Sequence, residues 1–289
     1  MNKYGICALL AGACWGCTGL FTRFLAAQGL NSFEMLVIRC GVAAICFGIW
    51  ILCKDAKQFR VKAKDIWLFL AVGLVGQTLF GYCYYTAITI MSVSTACILL
   101  YLSPALVVII AHFVFGDKVG KRGVISVILC VLGCACVSGF GGSVTVRGLF
   151  LGLGSALAFA LINIFDRMLL ERGYTSATVN FYLCLIAAVG GAVLSTFSNP
   201  VAVMFSGAKS FAMSAACGIV TCFLAYLFFS YALRHCESGK VSIFASTEPV
   251  VATLISILVF REPFGILSVI GIILVLGSIV LMNTGSSES

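Results

Sequence analysis

Apolar residues run continuously along this chain in stretches close to twenty residues long, separated by short polar breaks. The stretch VISVILCVLGCACVSGF from Val124 is typical. A period-2 alternation over about ten residues would signal a membrane β-barrel. Unbroken runs of this length instead match α-helices crossing about 30 Å of hydrocarbon, which satisfy their own backbone hydrogen bonds. The pattern predicts ten helical spans, at 4–26, 33–52, 65–90, 94–115, 120–140, 147–170, 176–197, 210–233, 239–260 and 264–282. The first is too long, and lacks the cleavage site, for a secretory signal. The longest loop, 54–64, leaves no room for a soluble domain.

Composition agrees. The chain has 289 residues, 62% apolar and 10% charged, with mean hydropathy +1.15. A soluble domain carries about 25% charged residues, and water would leave this apolar surface uncovered. The net charge of +8 is distributed unevenly. Odd-numbered spans end on the side of the N-terminus, which holds Lys3, Lys54, Lys57, Arg60, Lys62, Lys64, Lys118, Lys121, Arg122, Arg167, Arg172, Arg234 and Lys240. The opposite side holds Arg23, Arg147, Lys209 and Arg261. The asymmetry is a topology signal and no sign of nucleic-acid binding. It places the chain in the cell membrane as a multi-pass protein with both termini cytoplasmic.

The two halves echo each other. YGICALLAGACWGCTGLFTRFLAAQGLNS parallels RGLFLGLGSALAFALINIFDRMLLERGYTS, and GLVGQTLFGYCYYTAI parallels GIVTCFLAYLFFSYAL. LSPALVVIIAHFVFGD parallels TEPVVATLISILVFRE, with Pro104 and Pro249 in register and Asp117 and Glu262 at the same distance beyond. Residues 1–143 and 144–289 are therefore two five-span repeats. An odd number of spans turns the second copy upside down, an arrangement typical of secondary transporters. The expected fold is an all-α membrane protein of ten transmembrane helices in two inverted five-helix repeats.

The duplicated unit, the arginine within NSFEMLVIRCGVAAI, and STEPVVATLISILVFRE followed by VIGIILVLGSIVLM resemble the EamA family of the drug/metabolite transporter superfamily. The resemblance spans the whole chain. It implies alternating access, with a central cavity between the repeats, for metabolites, amino acids, amines or drug-like amphipathic compounds. It also implies that Arg39 acts as a structural clamp, with a substrate carboxylate or Glu248 as its other possible partners. In the first repeat Ser103 stands where the second has Glu248, so the cavity should be chemically asymmetric.

Charge inside a bilayer is expensive, so intramembrane ionisable residues mark function. Glu248 lies mid-span before Pro249, whose missing N–H frees carbonyls in the preceding turn. That combination suits a cationic substrate group or a coupling proton; the structural alternative is a tie between helices. Helical spacing groups Gln77 and Gly81 with Tyr84 or Tyr85, Phe244 with Glu248, Trp15 with Gly19 and Thr22, and Phe159 with Asn163 and Arg167. Tyr101 lies on the fourth span. Such mixed stripes fit a cavity lining, although an aromatic stripe is more often core packing. The expected substrate site comprises Glu248, Trp15, Gln77, Tyr84, Tyr85, Tyr101, Asn163, Phe244 and Arg39.

Other features read as structural. His112 is expected to be packed or interfacial, Asp166 and Arg167 interfacial at a helix end, and Gly12, Gly16, Gly148 and Gly152 close helix contacts. The fifteen cysteines, CWGC included, scatter through apolar spans as small packing residues rather than metal ligands. No cofactor and no enzymatic activity are expected. An intramembrane enzyme would need a nucleophile–base pair or a metal motif, and the two histidines supply neither. A channel would need a filter segment, and a pump of the ATP-driven kind a P-loop. The expected partners are a small-molecule substrate, protons as coupling ion and the lipid bilayer.

Overall fold

The computed structural model describes residues 3–90, 96, 99–117, 120–138, 145–195, 200–260 and 265–284. Side chains are described at all of these but 32, 85, 88, 89, 137, 138, 256, 257, 260, 268 and 282–284. The chain is all-α over these residues, and helix occupies each predicted span. The first repeat contains α1 (Lys3–Gly16), α2 (Thr18–Ala26), α3 (Ser32–Lys54), α4 (Ile66–Leu70), a π-helical segment (Ala71–Thr78), α5 (Leu79–Ile90), α6 (Ser103–Phe115) and α7 (Lys121–Ser138). The second contains α8 (Val146–Glu171), α9 (Ser176–Leu194), α10 (Pro200–Met204), α11 (Ala208–Gly218), a second π-helical segment (Ile219–Leu224), α12 (Ala225–Leu233), α13 (Ser238–Ala245), α14 (Glu248–Phe260) and α15 (Ile266–Thr284). Among the described residues, six helices are long and apolar enough to cross a membrane unaided. Large apolar side chains such as Phe113, Val193, Leu258 and Ile266 are turned outward, as lipid-facing surface requires.

Local chemistry repeats between the halves. The first turn of each half carries a glycine with positive φ, Gly29 at 85° and Gly173 at 89°, a conformation open to glycine without steric cost. Leu30 N–H then reaches Leu25 O, and Tyr174 N–H reaches Leu169 O, closing the preceding helix in the same way. Two residues beyond each glycine comes an N-cap. Asn31 Oδ1 accepts from the Phe33 and Glu34 amides, while Glu34 closes a capping box on Asn31 N–H. Thr175 Oγ1 accepts from Thr178 N–H. The third span of each half carries its π-helical segment at corresponding positions.

Tertiary contacts obey the same symmetry. Helix α3 packs on its counterpart α9, and α7 on its counterpart α15. Gly73 faces Ile186, where an added Cβ would fall 2.6 Å from the Ile186 Cβ. Its counterpart Gly218 faces Val42, with the corresponding approach 2.4 Å. Val42 and Ile186 are themselves equivalent positions, so each repeat sets a β-branched residue at the same position against the equivalent glycine of the other. Reciprocal contacts of this kind are what a two-fold axis generates.

Helices break where the sequence placed its prolines. The turn Tyr101–Leu102 precedes α6 at Ser103–Pro104, and the turn Ser246–Thr247 precedes α14 at Glu248–Pro249. The first span also breaks, at Cys17. This break separates Trp15 from its expected stripe: Trp15 is buried, whereas Gly19 is exposed with open space beside it.

The 54–64 loop does more than anchor the topology. Gln58 meets Thr175 and Thr178, Phe59 O accepts from Tyr182, and Lys62 N–H donates to Tyr174 Oη. Asp65 pairs with Arg172 and accepts from Tyr174 at 2.7 Å. First-repeat loop and second-repeat turn are thus joined.

Candidate functional site

The glycines of α1 set the floor of the site. A Cβ on Gly12 would lie 2.3 Å from Ala245 O and Thr247 Oγ1, and one on Gly16 2.8 Å from Glu248 O. The α1 backbone therefore rests directly on the break between α13 and α14, and Thr247 Oγ1 donates to Leu9 O across it at 3.1 Å. This approach carries Trp15, the penultimate residue of α1, beside the turn that bears Glu248.

Trp15 is the centre of an aromatic cluster. Its ring centroid lies 5.0 Å from Phe229, 5.5 Å from Tyr226 and 5.9 Å from Phe159, all tilted or edge-on, the geometry that ring quadrupoles favour. Phe159 continues to Phe80 at 5.5 Å, and Phe80 stacks on Tyr84 at 5.6 Å. Four spans, first, third, sixth and eighth, supply these rings.

Polar groups enter the cluster in pairs across the repeats. Tyr226 Oη donates to Gln77 Oε1 at 2.6 Å, joining α12 to the first π-helical segment. Arg39 Nε donates to Cys222 Sγ at 3.2 Å, joining α3 to the second. The Arg39 guanidinium is within electrostatic reach of both Glu248 and Tyr226. Arg39 is nine-tenths covered, so its stem does not reach out to water. Glu248 is half-buried at the start of α14. π-helical insertions shift side chains out of α-helical phase, and such segments recur at functional sites.

The structure thus brings Trp15 and Gln77 onto Tyr226, Arg39 onto Cys222 one turn before it, and the Glu248 backbone against Gly16, and it connects Tyr84 through Phe80 and Phe159. Phe244 is buried in the same core, and Tyr101 is half-buried against it. Asn163 is wholly buried, its Nδ2 donating to Phe159 O at 2.9 Å. The Tyr85 side chain lies outside the described residues.

Two expectations change. Asp166 is not interfacial. It is fully buried and accepts from Ser230 Oγ at 2.7 Å, because α12 covers the inner face of α8 at this level. Arg167, one position on, is turned away from Phe159 and Asn163 toward the helix end. There Nη1 and Nη2 donate to the two oxygens of Asp117 at 2.6 and 3.1 Å, Nη1 reaches Ser238 Oγ and Nε reaches Glu171. His112 lies exposed nearby, with Nδ1 against Asp117 O. Among the described residues no group of three His, Cys, Asp or Glu could hold a metal ion.

Tyr226, Phe229, Phe159 and Cys222 were not among the expected site residues. The repeat held a signal for two of them. Tyr226 stands where the first half has Gly81, and Cys222 where it has Gln77.

The sequence profile of the EamA-like transporter family matches twice, over residues 2–139 and 146–284. An uncharacterized transporter of Bacillus subtilis (strain 168), YxxF, is 27% identical over 244 residues, covering 83% of this chain and 76% of its own. An uncharacterized inner membrane transporter of Salmonella typhimurium, YicL, is 23% identical over 288 residues, covering 96% of this chain and 94% of its own. A solved crystal structure superposes with a TM-score of 0.82 over 99% of both chains at 17% identity, a likeness of fold alone.

Proposed function

The chain belongs to the EamA-like transporter family, and from that premise we propose that it carries compact amphipathic amines or amino acids by alternating access between its repeats. One observation carries the reading. Glu248 opens a restarted helix whose first carbonyl lies against Gly16, the residue after Trp15 of the Trp15–Tyr226–Phe229 cluster, so an acid-bearing helix break adjoins the element that carries the central ring. Broken helices at repeat interfaces hold substrate and ion sites in secondary carriers, and aromatic faces attract organic cations. Tyr226 and Gln77 add a polar pair for orienting a substrate, and Arg39 offers a partner for a carboxylate.

Glu248 is also the proposed coupling residue. In the occupied state a substrate ammonium neutralises it; in the empty state a proton takes that place. The Lys/Arg-rich ends, with both termini, face the cytoplasm, and residues 1–143 and 144–289 move against each other. Purified protein in proteoliposomes should take up or release labelled amino acids and amines, faster with an imposed pH gradient. Glu248→Gln should lose gradient-driven flux while keeping membrane insertion. Transport confined to dianionic phosphates, or Glu248→Gln flux and pH dependence equal to wild type, would refute the assignment.

A further inference from the structure

Another carboxyl besides Glu248 lies inside the protein with no countercharge among the described residues. Asp166 on α8 is fully buried, and its Oδ2 accepts from Ser230 Oγ at 2.7 Å. Ser230 in turn accepts from Asn180 Nδ2 at 2.8 Å, so donation runs from α9 through α12 to α8 and ends on Asp166. Asn180 Nδ2 also meets Ser176 O and Tyr226 O, which fixes that amide with its oxygen away from these acceptors. Asn163 is three residues before Asp166 on α8, and its Nδ2 is held by Phe159 O. The outcome is three wholly buried oxygens, Asp166 Oδ1, Asn163 Oδ1 and Asn180 Oδ1, that receive no donor.

The surrounding charges do not relieve this. On α8, Arg167 is committed to Asp117, Glu171 and Ser238. On α13, Lys240 pairs with Glu237. In the turn after α8 and the loop before α4, Arg172 pairs with Asp65. α12 presents Tyr226, whose hydroxyl goes to Gln77, and α9 presents the neutral Asn180. α5 contributes Cys83 and Tyr84, which are neutral, and the exposed His112 of α6 faces Asp117 O. No cation makes an ion pair with Asp166 among the described residues. An unpaired buried carboxylate is among the most unfavourable groups a protein can hold.

We propose that Asp166 Oδ1 is a proton-binding site in this conformation, separate from Glu248, formed by Asp166, Asn163, Asn180 and Ser230. One bound proton removes the charge and supplies a donor, the two things the cluster lacks. A hard metal cation asks for about six oxygen ligands, more than the three unpartnered ones here. The proton comes from water and returns to it. The gate to that water is the Arg167–Asp117 clamp, which begins at the next residue and joins α8 to the end of α6. Opening it exposes the inner face of α8 and releases the proton, so protonation of Asp166 favours the closed clamp.

Infrared difference spectroscopy of the reconstituted full chain, titrated from neutral to alkaline pH, reads a buried carboxylic acid by its carbonyl stretch. The expected result is a protonated-carboxyl band at neutral pH that survives in Glu248→Gln and disappears in Asp166→Asn. In Ser230→Ala, which removes the donor to Oδ2, the band should remain but change frequency. That variant decides the matter even if Asp166→Asn fails to fold. Three results would overturn the proposal: no such band in Glu248→Gln, a band indifferent to both Asp166→Asn and Ser230→Ala, or a band abolished by sodium chloride but not by potassium chloride at constant pH.

Discussion

Removing the carboxylate at Asp117 should open the end of the molecule where the two repeats are clamped. Arg167 of the second repeat grips Asp117 of the first through two parallel hydrogen bonds, and each side chain is 15% exposed. Its Cζ also lies 4.0 Å above the Phe115 ring. An exposed ion pair contributes about 0–1 kcal/mol, and breaking a fully buried one costs about 3–5 kcal/mol. This bidentate, mostly covered pair falls between, near 2 kcal/mol, or roughly a 30-fold change in the closed-to-open ratio. The contact with Glu171 belongs to the exposed class, since that side chain is 53% exposed. In Asp117→Asn, amide hydrogen exchange of the segments around 112–117 and 165–173 should therefore accelerate by more than tenfold in the reconstituted protein. In Glu171→Gln it should change less than threefold. A double-mutant cycle of Asp117→Asn with Arg167→Gln should give a coupling well above the roughly 0.5 kcal/mol expected of independent sites. Additive effects, or equal acceleration in Asp117→Asn and Glu171→Gln, would show that the ion pair does not hold the repeats closed.

Two further outcomes follow from packing and titration. Gly218→Val forces a Cβ to within 2.4 Å of Val42 Cβ and 3.0 Å of Arg39 O; overpacking of this kind costs about 1–3 kcal/mol and should lower the thermal midpoint, whereas Gly19→Ala, with nothing within 4 Å, should not. Burial, and after it the Asp65 carboxylate, holds the Tyr174 phenol above the ordinary tyrosine range. A raised folded value means that its contribution is complete below about pH 10, the unfolded value, and is lost as pH rises through the folded one. The loop around 54–64 should accordingly stay protected from proteolysis through neutral pH and loosen only in alkali, and Tyr174→Phe should abolish that alkaline step; loosening between pH 6 and 8 would refute the assignment.

Long apolar runs made the spans legible, because a helix in lipid needs little beyond length and continuity. The disturbed turn before Pro249 was legible for a comparable reason, since a missing N–H acts locally and is written as one letter, whereas the span holding Pro104 was read as continuous and is interrupted at Tyr101–Leu102. Trp15, Gln77, Arg39 and Glu248 could be selected by polarity, size and helical spacing. The break at Cys17 and the two π-helical segments could not, because they depend on how neighbouring helices pack, and each spoils the phase on which a stripe is drawn. Hence Gly19 does not follow Trp15 inward, although the spacing is right. Asp166 shows the same limit in reverse. Its place beside Arg167 at the end of a span suggested an interfacial residue, yet α12 brings Ser230 over it.

The two repeats have kept their joints and changed their centre. The turn glycines Gly29 and Gly173, the N-caps Asn31 and Thr175, and the reciprocal contacts of Gly73 with Ile186 and Gly218 with Val42 are preserved. These positions set how the two repeats pack against each other, and a two-fold arrangement needs them alike on either side. The site positions differ instead: Ser103 against Glu248, Gln77 against Cys222, Gly81 against Tyr226. A strictly symmetric site on the axis would present every group twice, and two facing carboxylates would repel. Under the proposed function, divergence leaves one acid, one tyrosine and one amide for an asymmetric substrate, while Arg39 donates to Cys222, the sulfur at the position equivalent to Gln77. Restoring symmetry at the centre separates these roles. Ser103→Glu adds an acid at the position equivalent to Glu248 and should disable transport, whereas Glu248→Ser should remove the countercharge and leave the fold and its reciprocal glycine contacts intact.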